Sequence, residues 1–320
     1  IYLMHYTPQR SHLTFLIIGA TLLRVIIALI NSYLFPTPGA GFDAFGFNET
    51  ASHIANTGEL ATRKMTWTGI GKIYAVYLSF IYKWFIDSMF LGCLLSIAAW
   101  LTSVLISIRL LNHLNVKLEY IFIAVAFFLF LPSSVTFTSL TLRESYQMLF
   151  ITLMVYSMIR FNYTKSALHF LLIFLWALIA AYLHRILPLV ITVALGIYFI
   201  YQSLINLNSP STKVRTYFIL LGAISLIFLS TSILNAFGFS LDKGFIMLIV
   251  NQQTGQLGDA VGARSFYRQE ALDIDSSFEL FYFFPQAFIQ YFIEPTPWKW
   301  SSLMDIIFSF ENVVRIVFMF

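Results

Sequence analysis

Long apolar runs separated by short polar breaks dominate the chain. A helix needs about 20 mainly apolar residues to cross a bilayer core. Runs of that kind cover about 12–34, 88–111, 119–138, 143–161, 166–184, 186–206, 216–237 and 302–320. Lipid offers no partner for open backbone N–H and C=O groups, so these runs are expected to be helices. Two shorter apolar stretches differ. Residues 73–86 (IYAVYLSFIYKWFI) carry Lys83 inside and Asp87 just after, and 278–293 (FELFYFFPQAFIQYFI) is broken by Pro285. Both read as interfacial or re-entrant helices. The expected fold is all-α: a polytopic transmembrane helical bundle of about eight spans. It forms one transmembrane domain over 1–320, with interfacial helices in two long outer loops, 35–87 and 238–301.

The polar breaks orient the spans. With the N-terminus in the cytoplasm, the inner segments hold Arg10, Arg109 and Lys117, Arg160 and Lys165, and Lys213 and Arg215, with Glu119 as their single acid. Short basic loops of this kind stay cytoplasmic. The opposite side receives both long segments and most of the acids, from Asp43 and Glu49 to Asp275 and Glu294. Counting 73–86 as a further span would scramble this separation. Within 238–301, the Gly- and Gln-containing centre from Asn251 to Glu270 reads as a mobile flap.

Composition agrees with a membrane location. Hydrophobic residues make up 59% and charged residues 11%, against about 25% charged in a soluble domain. The 34 Phe and 17 Tyr suit lipid-facing helices with aromatic belts. The net charge of +4 comes without any basic run longer than two residues, so no nucleic-acid partner is expected. The lone Cys93 excludes an internal disulfide framework and reads as a small apolar helix residue. A chain starting at Ile1 and stopping inside an apolar run at Phe320 is expected to be a fragment of a longer one.

With the spans oriented, scattered polar residues form a pattern. Asp43 and Glu49 lie just beyond the first span, Arg143 and Glu144 where the fourth begins, and His184 and Arg185 between the fifth and sixth. All fall on the outer side. Either arginine alone could snorkel to water, but two at one depth match the oxygens of a phosphate. Glu144 could pair with Arg185 or Lys72, and His184 reads as a helix-end polar residue. His53 is alone in its loop, so no metal motif is present, and a divalent metal has no motif to support it. Asp43 follows the turn-permitting Gly39 and Gly41. A helix is expected from Asn48, with Phe47, Ala51, Ile54 and Ala55 on one face and Gly58 ending it. Asp43 then caps that helix or serves as a general base at the membrane surface. Arg24, mid-span, should face protein and pair there, and Glu311 and Arg315 are spaced to pair with each other. The aromatic residues Trp67, Tyr74, Tyr77, Trp84, Trp298 and Trp300 read as belt anchors or as sugar-stacking platforms.

The order of these features resembles the type-C glycosyltransferase superfamily, integral membrane enzymes that use polyprenyl-phosphate-linked sugars. The resemblance covers much of residues 12–190. It rests on Phe42-Asp43-Ala44-Phe45 after the first span, the amphipathic stretch from Asn48 to Leu60, and the Gly/Tyr-containing helix from Gly71 to Phe85. Arg109-Leu110, Leu131-Pro132-Ser133, Leu142-Arg143-Glu144 and Pro295-Thr296-Pro297-Trp298 complete it. It implies that Asp43 deprotonates the acceptor and that Arg143 and Arg185 hold the lipid phosphate. Glu49 is a second candidate acid, and His184 and Lys72 are further candidate phosphate-binding residues. Many members carry two adjacent first-loop acids, whereas Ala44 follows Asp43 here.

The function expected is sugar transfer or polysaccharide polymerisation from a lipid-linked sugar donor to a glycan, lipid or protein acceptor, in a bacterial or archaeal plasma membrane. The competing reading is a non-catalytic membrane subunit or scaffold of a cell-envelope complex, with a membrane-protein partner. Few mid-span ionisable residues and no inverted repeat argue against a transporter.

Overall fold

The computed structural model of the protein describes residues 8–37, 41–58, 70–184, 187–205, 293, 296–300 and 303–319. Among the described residues every regular element is helical and no strand occurs. The chain divides into two compact units, 1–233 and 234–320.

The first unit contains α1 (Pro8–Tyr33), α2 (Gly41–Thr57), α3 (Ile70–Trp84), α4 (Met89–His113), α5 (Leu118–Phe130), α6 (Pro132–Thr138), α7 (Glu144–Thr164), α8 (Ala167–Leu183) and α9 (Leu187–Ile205). Two helices, Ser11–Tyr33 and Met89–His113, are long and apolar enough to cross a membrane, and α5 with α6 adds a third if the pair is one span. The apolar runs expected at 12–34, 88–111, 143–161, 166–184 and 186–206 each coincide with one helix. The run 119–138 does not, because it bends by 57° between α5 and α6. Pro132 forces the break. Leu131 before it is held extended at φ −56°, ψ 125°, as the proline ring demands. The expected helices at 216–237 and 278–293 lie outside the described residues, apart from Ile293.

Two apolar clusters build the body of this unit. One joins α1, α4 and α5 through Leu13, Ala20, Ala28, Ile97, Trp100, Val104, Ile121 and Leu129. The other joins α7, α8 and α9 through Met154, Ile173, Ala177, Ala180, Leu195 and Phe199. Small residues at such contacts let helix backbones approach closely where lipid gives no hydrophobic gain. Cys93 is buried on α4.

Arg24 is fully buried and faces protein, as a mid-span arginine should. Its Nε donates to Thr138 Oγ1 (2.7 Å), Nη1 to Ala20 O (3.1 Å) and Nη2 to Ser134 Oγ (3.2 Å). The guanidinium lies 3.5 Å from the Trp100 ring centroid. The partners are hydroxyls, a carbonyl and an indole face, with no acid among them. The Pro132 break positions Ser134 and Thr138 to receive it.

Side-chain contacts fix which helix ends lie together. Ser32 approaches Cys93 (3.9 Å), and Thr141 bonds to Cys93 Sγ (3.3 Å) and Met89 O (3.2 Å). The end of α1 and the starts of α4 and α7 therefore share one end of the bundle. Helices α2 and α3 pack there as a pair, and α3 also lies against α8.

In the second unit, a 3-10 turn (Pro297–Lys299) leads into α10 (Leu303–Met319). The Trp300 indole N–H donates to Ser309 Oγ (2.7 Å). Arg315 pairs with the buried Glu311 one turn away, as their spacing predicts.

Candidate functional site

Asp43 enters the site on α2. That helix begins at Gly41 rather than at Asn48, so Asp43 stands in its first turn and not ahead of it. An acid there complements the positive helix end. Ala44, Phe47, Ala51 and Ile54 are buried and form the inward face, as their spacing predicts, while Asp43 and Glu49 are exposed. Six residues apart on a regular helix, the two carboxylates point to different sides. Gly58 ends the helix at φ +73°, a conformation that suits glycine.

The hairpin partner α3 buries Tyr74, Ala75, Leu78 and Tyr82 against α2 and the bundle. It turns Ile73, Val76, Tyr77, Phe80 and Trp84 outward. This two-sided pattern fits the interfacial helix expected over 73–86. Tyr74, expected as a belt anchor or stacking platform, is instead a core residue. Its ring meets Phe47 edge-on (centroids 5.0 Å apart) and tilts against Tyr146 (5.6 Å). Trp84 and Trp298 are exposed as belt residues would be, and Trp67 lies outside the described residues. Two polar ties hold α2 in place. Tyr82 donates to Asn48 Oδ1 (2.9 Å), and Asp87 Oδ2 accepts from Ser52 Oγ (2.5 Å) and Asn56 Nδ2 (3.0 Å).

Arg143 is the N-cap residue of α7, and Leu140–Leu142 before it are buried. Its guanidinium stands 5.5 Å from the Phe47 ring centroid. Its Nε is 4.0 Å from Glu144 Oε1. Glu144 therefore pairs with Arg143, and the pairings expected with Arg185 or Lys72 rest on side chains outside the described residues. Asp43 lies within electrostatic range of Glu144. Asp43, Arg143 and Glu144 are thus brought together from segments about 100 residues apart in sequence. His184 is the C-cap residue of α8 and follows Leu183, which packs in the same cluster as Phe47, Tyr74 and Tyr146. The backbone and side chain of Arg185 and the side chain of Lys72 lie outside what is described.

A feature that sequence reasoning missed lies beneath Asp43. Arg143, Tyr146 and Gln147 are spaced i, i+3, i+4 and share one face of α7. Arg143 Nε, Tyr146 Oη and Gln147 Nε2 are buried and make no hydrogen bond, and so are Tyr74 Oη, Glu144 Oε2 and Ser145 Oγ. The Tyr74 hydroxyl neighbours Ser96, and that of Tyr146 neighbours Tyr77, both short of hydrogen-bonding geometry. Burial pushes the Tyr74 hydroxyl far above the usual tyrosine range, so it stays protonated at any working pH. Buried polar atoms are nearly always paired, so the open atoms of Arg143, Tyr146 and Gln147 on one face of α7, with the Tyr74 hydroxyl on the ring next to Tyr146, form a polar patch that is short of partners. The visible hint in the sequence was Glu-Ser-Tyr-Gln at 144–147, four polar residues where a span should open on apolar ones. Among the described residues no group of three or more His, Cys, Asp or Glu side chains is placed to hold a metal ion.

No family model, curated protein or solved structure matches this chain.

Proposed function

We propose that the protein is an integral membrane glycosyltransferase that moves a sugar from a polyprenyl-phosphate donor to an acceptor hydroxyl at the non-cytoplasmic face. The observation that carries this reading is the set of buried polar atoms without hydrogen bonds on α7 and α3, beside the helix that presents Asp43. Sugars bring many hydroxyls, and such a lining supplies both donors and acceptors for them. Arg143 lies beside it as the cation for the phosphate.

The chemistry asks little more. The sugar–phosphate bond is already activated, so an enzyme has to take a proton from the acceptor and stabilise the departing phosphate. Asp43 would accept the acceptor's proton, and the acceptor oxygen would attack the anomeric carbon. The bond to the phosphate oxygen breaks, and its electron pair leaves on the lipid phosphate. Arg143, with Arg185 beyond the described residues, would neutralise that charge through paired N–H donors. Glu49, on another side of α2, is the weaker candidate for the base.

The test is transfer of labelled sugar from lipid-linked donors in membranes carrying Asp43→Asn. Loss of about 100-fold or more in rate, with insertion unchanged, is expected. Near-wild-type transfer would sink the reading. One observation favours a non-catalytic subunit instead. Ala44, where many relatives of the suggested superfamily carry a second acid, is fully buried. That reading expects a membrane-protein partner to co-purify even when Asp43 and Arg143 are both replaced.

A further inference from the structure

The opposite end of the bundle, where α4 and α7 finish, carries the basic side chains Arg109, His113 and Arg160. Tyr156, Arg160 and Tyr163 are spaced i, i+4, i+7 and share one face of α7. The two tyrosines fix the direction of that face. Arg109 of α4 sits 5.9 Å from the Tyr156 ring centroid, and His113 of α4 meets the Tyr163 ring edge-on at 4.8 Å. Arg160 therefore lies between two contacts with α4, on the side of Arg109 and His113. Its Nε is buried and makes no hydrogen bond, and His113 Nε2 is buried and unpartnered as well. Among the described residues no carboxylate pairs with Arg109 or Arg160; the ion pairs there are Arg143–Glu144 and Arg315–Glu311.

Cations at helix C-termini often serve only to complement the carbonyl ends. In that role Arg160 would donate to the free carbonyls of the last turn, and its Nε reaches none. Loop arginines at a membrane edge snorkel into water. Here the Arg160 Nε is buried one turn inside the helix, on the face that also carries Tyr156 and Tyr163. A half-buried guanidinium with an open Nε donor, next to the exposed Arg109, is an arrangement that takes a phosphate oxygen.

We infer that Arg109, His113 and Arg160 form a second anion site, at the end of the bundle away from Arg143, that takes a phosphate ester of the phospholipid-headgroup type. The Tyr156 ring beside Arg109 and the Tyr163 ring beside His113 flank it. It is separate from the candidate sugar-transfer site and does not depend on that reading.

The test uses the full chain in detergent, with bound lipid counted by native mass spectrometry after titration with phosphatidylglycerol or phosphatidylcholine. The wild type should retain one phosphatidylglycerol with about tenfold preference over phosphatidylcholine. Arg160→Gln and Arg109→Gln should each abolish the preference at unchanged thermal midpoint, and Arg160→Lys should restore part of it. A parallel titration with inorganic phosphate separates the sources. Displacement of the lipid by millimolar phosphate would mark the site as one for the phosphate group alone, and no displacement would mark the headgroup with its chains as the ligand. Equal retention of both lipids by the wild type, or an undiminished preference in both glutamine variants, would overturn the inference. If the glutamine variants unfold, the wild-type preference and the Arg160→Lys variant still decide it.

Discussion

Arg24 and the hydroxyls around it form an asymmetric set. Ser134 Oγ already donates to Phe128 O (3.1 Å), and Thr138 Oγ1 to Ser134 O (2.6 Å). Removing the arginine leaves both hydroxyls satisfied, whereas removing a hydroxyl leaves a buried cation short of an acceptor. Thr138→Val should therefore destabilise the protein by about 1–3 kcal/mol. Arg24→Met, which deletes the buried charge and keeps an apolar chain on Trp100, should cost less. Thermal unfolding in detergent ranks the two, and the reverse order would show that the cation itself holds α1 to the α5–α6 break. The need for a protein partner was legible in the sequence, because a mid-span arginine cannot face lipid. The partners were not, since hydroxyls more than 100 positions away carry no signature of their own.

Helices α3 and α4 meet the connection between α6 and α7 at Gly92. A Cβ there would stand 2.6 Å from the Tyr82 hydroxyl and 2.7 Å from Thr141 Cγ2. The missing side chain is what lets Tyr82 reach Asn48 across the hairpin. Gly92→Ala should cost about 1–3 kcal/mol by overpacking. It should also couple to Tyr82→Phe in a double-mutant cycle, because both changes act on one contact; strict additivity would refute the contact. Just beyond the end of α3, Asp87 ties Ser52 and Asn56 of α2. Asp87→Ala should raise amide hydrogen exchange over 52–57 while leaving α4 protected, and no change in α2 would show that the tie contributes nothing. Periodicity located both amphipathic helices, and it set the inward face of α2 correctly. It started α2 too late, since Phe42 to Phe47 looked like loop until packing made them helical, and it took Tyr74 for a boundary residue. A tyrosine near a helix start looks the same in sequence whether it meets lipid or a neighbouring ring.

For the whole molecule, the sequence and the contacts make separate statements about sidedness. The contacts bring the ends near Tyr33, Met89, Arg143 and Leu183 to one end of the bundle and those near His113 and Thr164 to the other. The charge distribution then predicts that the second end faces the cytoplasm. Cys93 is buried, so single exposed cysteines can report this cleanly. Glu49→Cys should react with an impermeant maleimide in intact cells and Lys117→Cys only after permeabilisation; the opposite pattern would invert the topology. By itself the sequence determined the helical class and the location of the long apolar helices, apart from the break at Pro132, because an apolar run in lipid has one way to satisfy its backbone. It also determined which polar residues gather at each end, because charge and span length fix that order. Tertiary structure alone decided that Glu144 pairs with Arg143, that Arg143 Nε, Tyr146 Oη and Gln147 Nε2 are buried without hydrogen bonds, and that Arg160 Nε is buried on the face of α7 that meets Arg109 and His113. Those outcomes depend on helix rotation and on contacts between distant segments. One-dimensional spacing constrains the faces of a helix but not which neighbour each face meets.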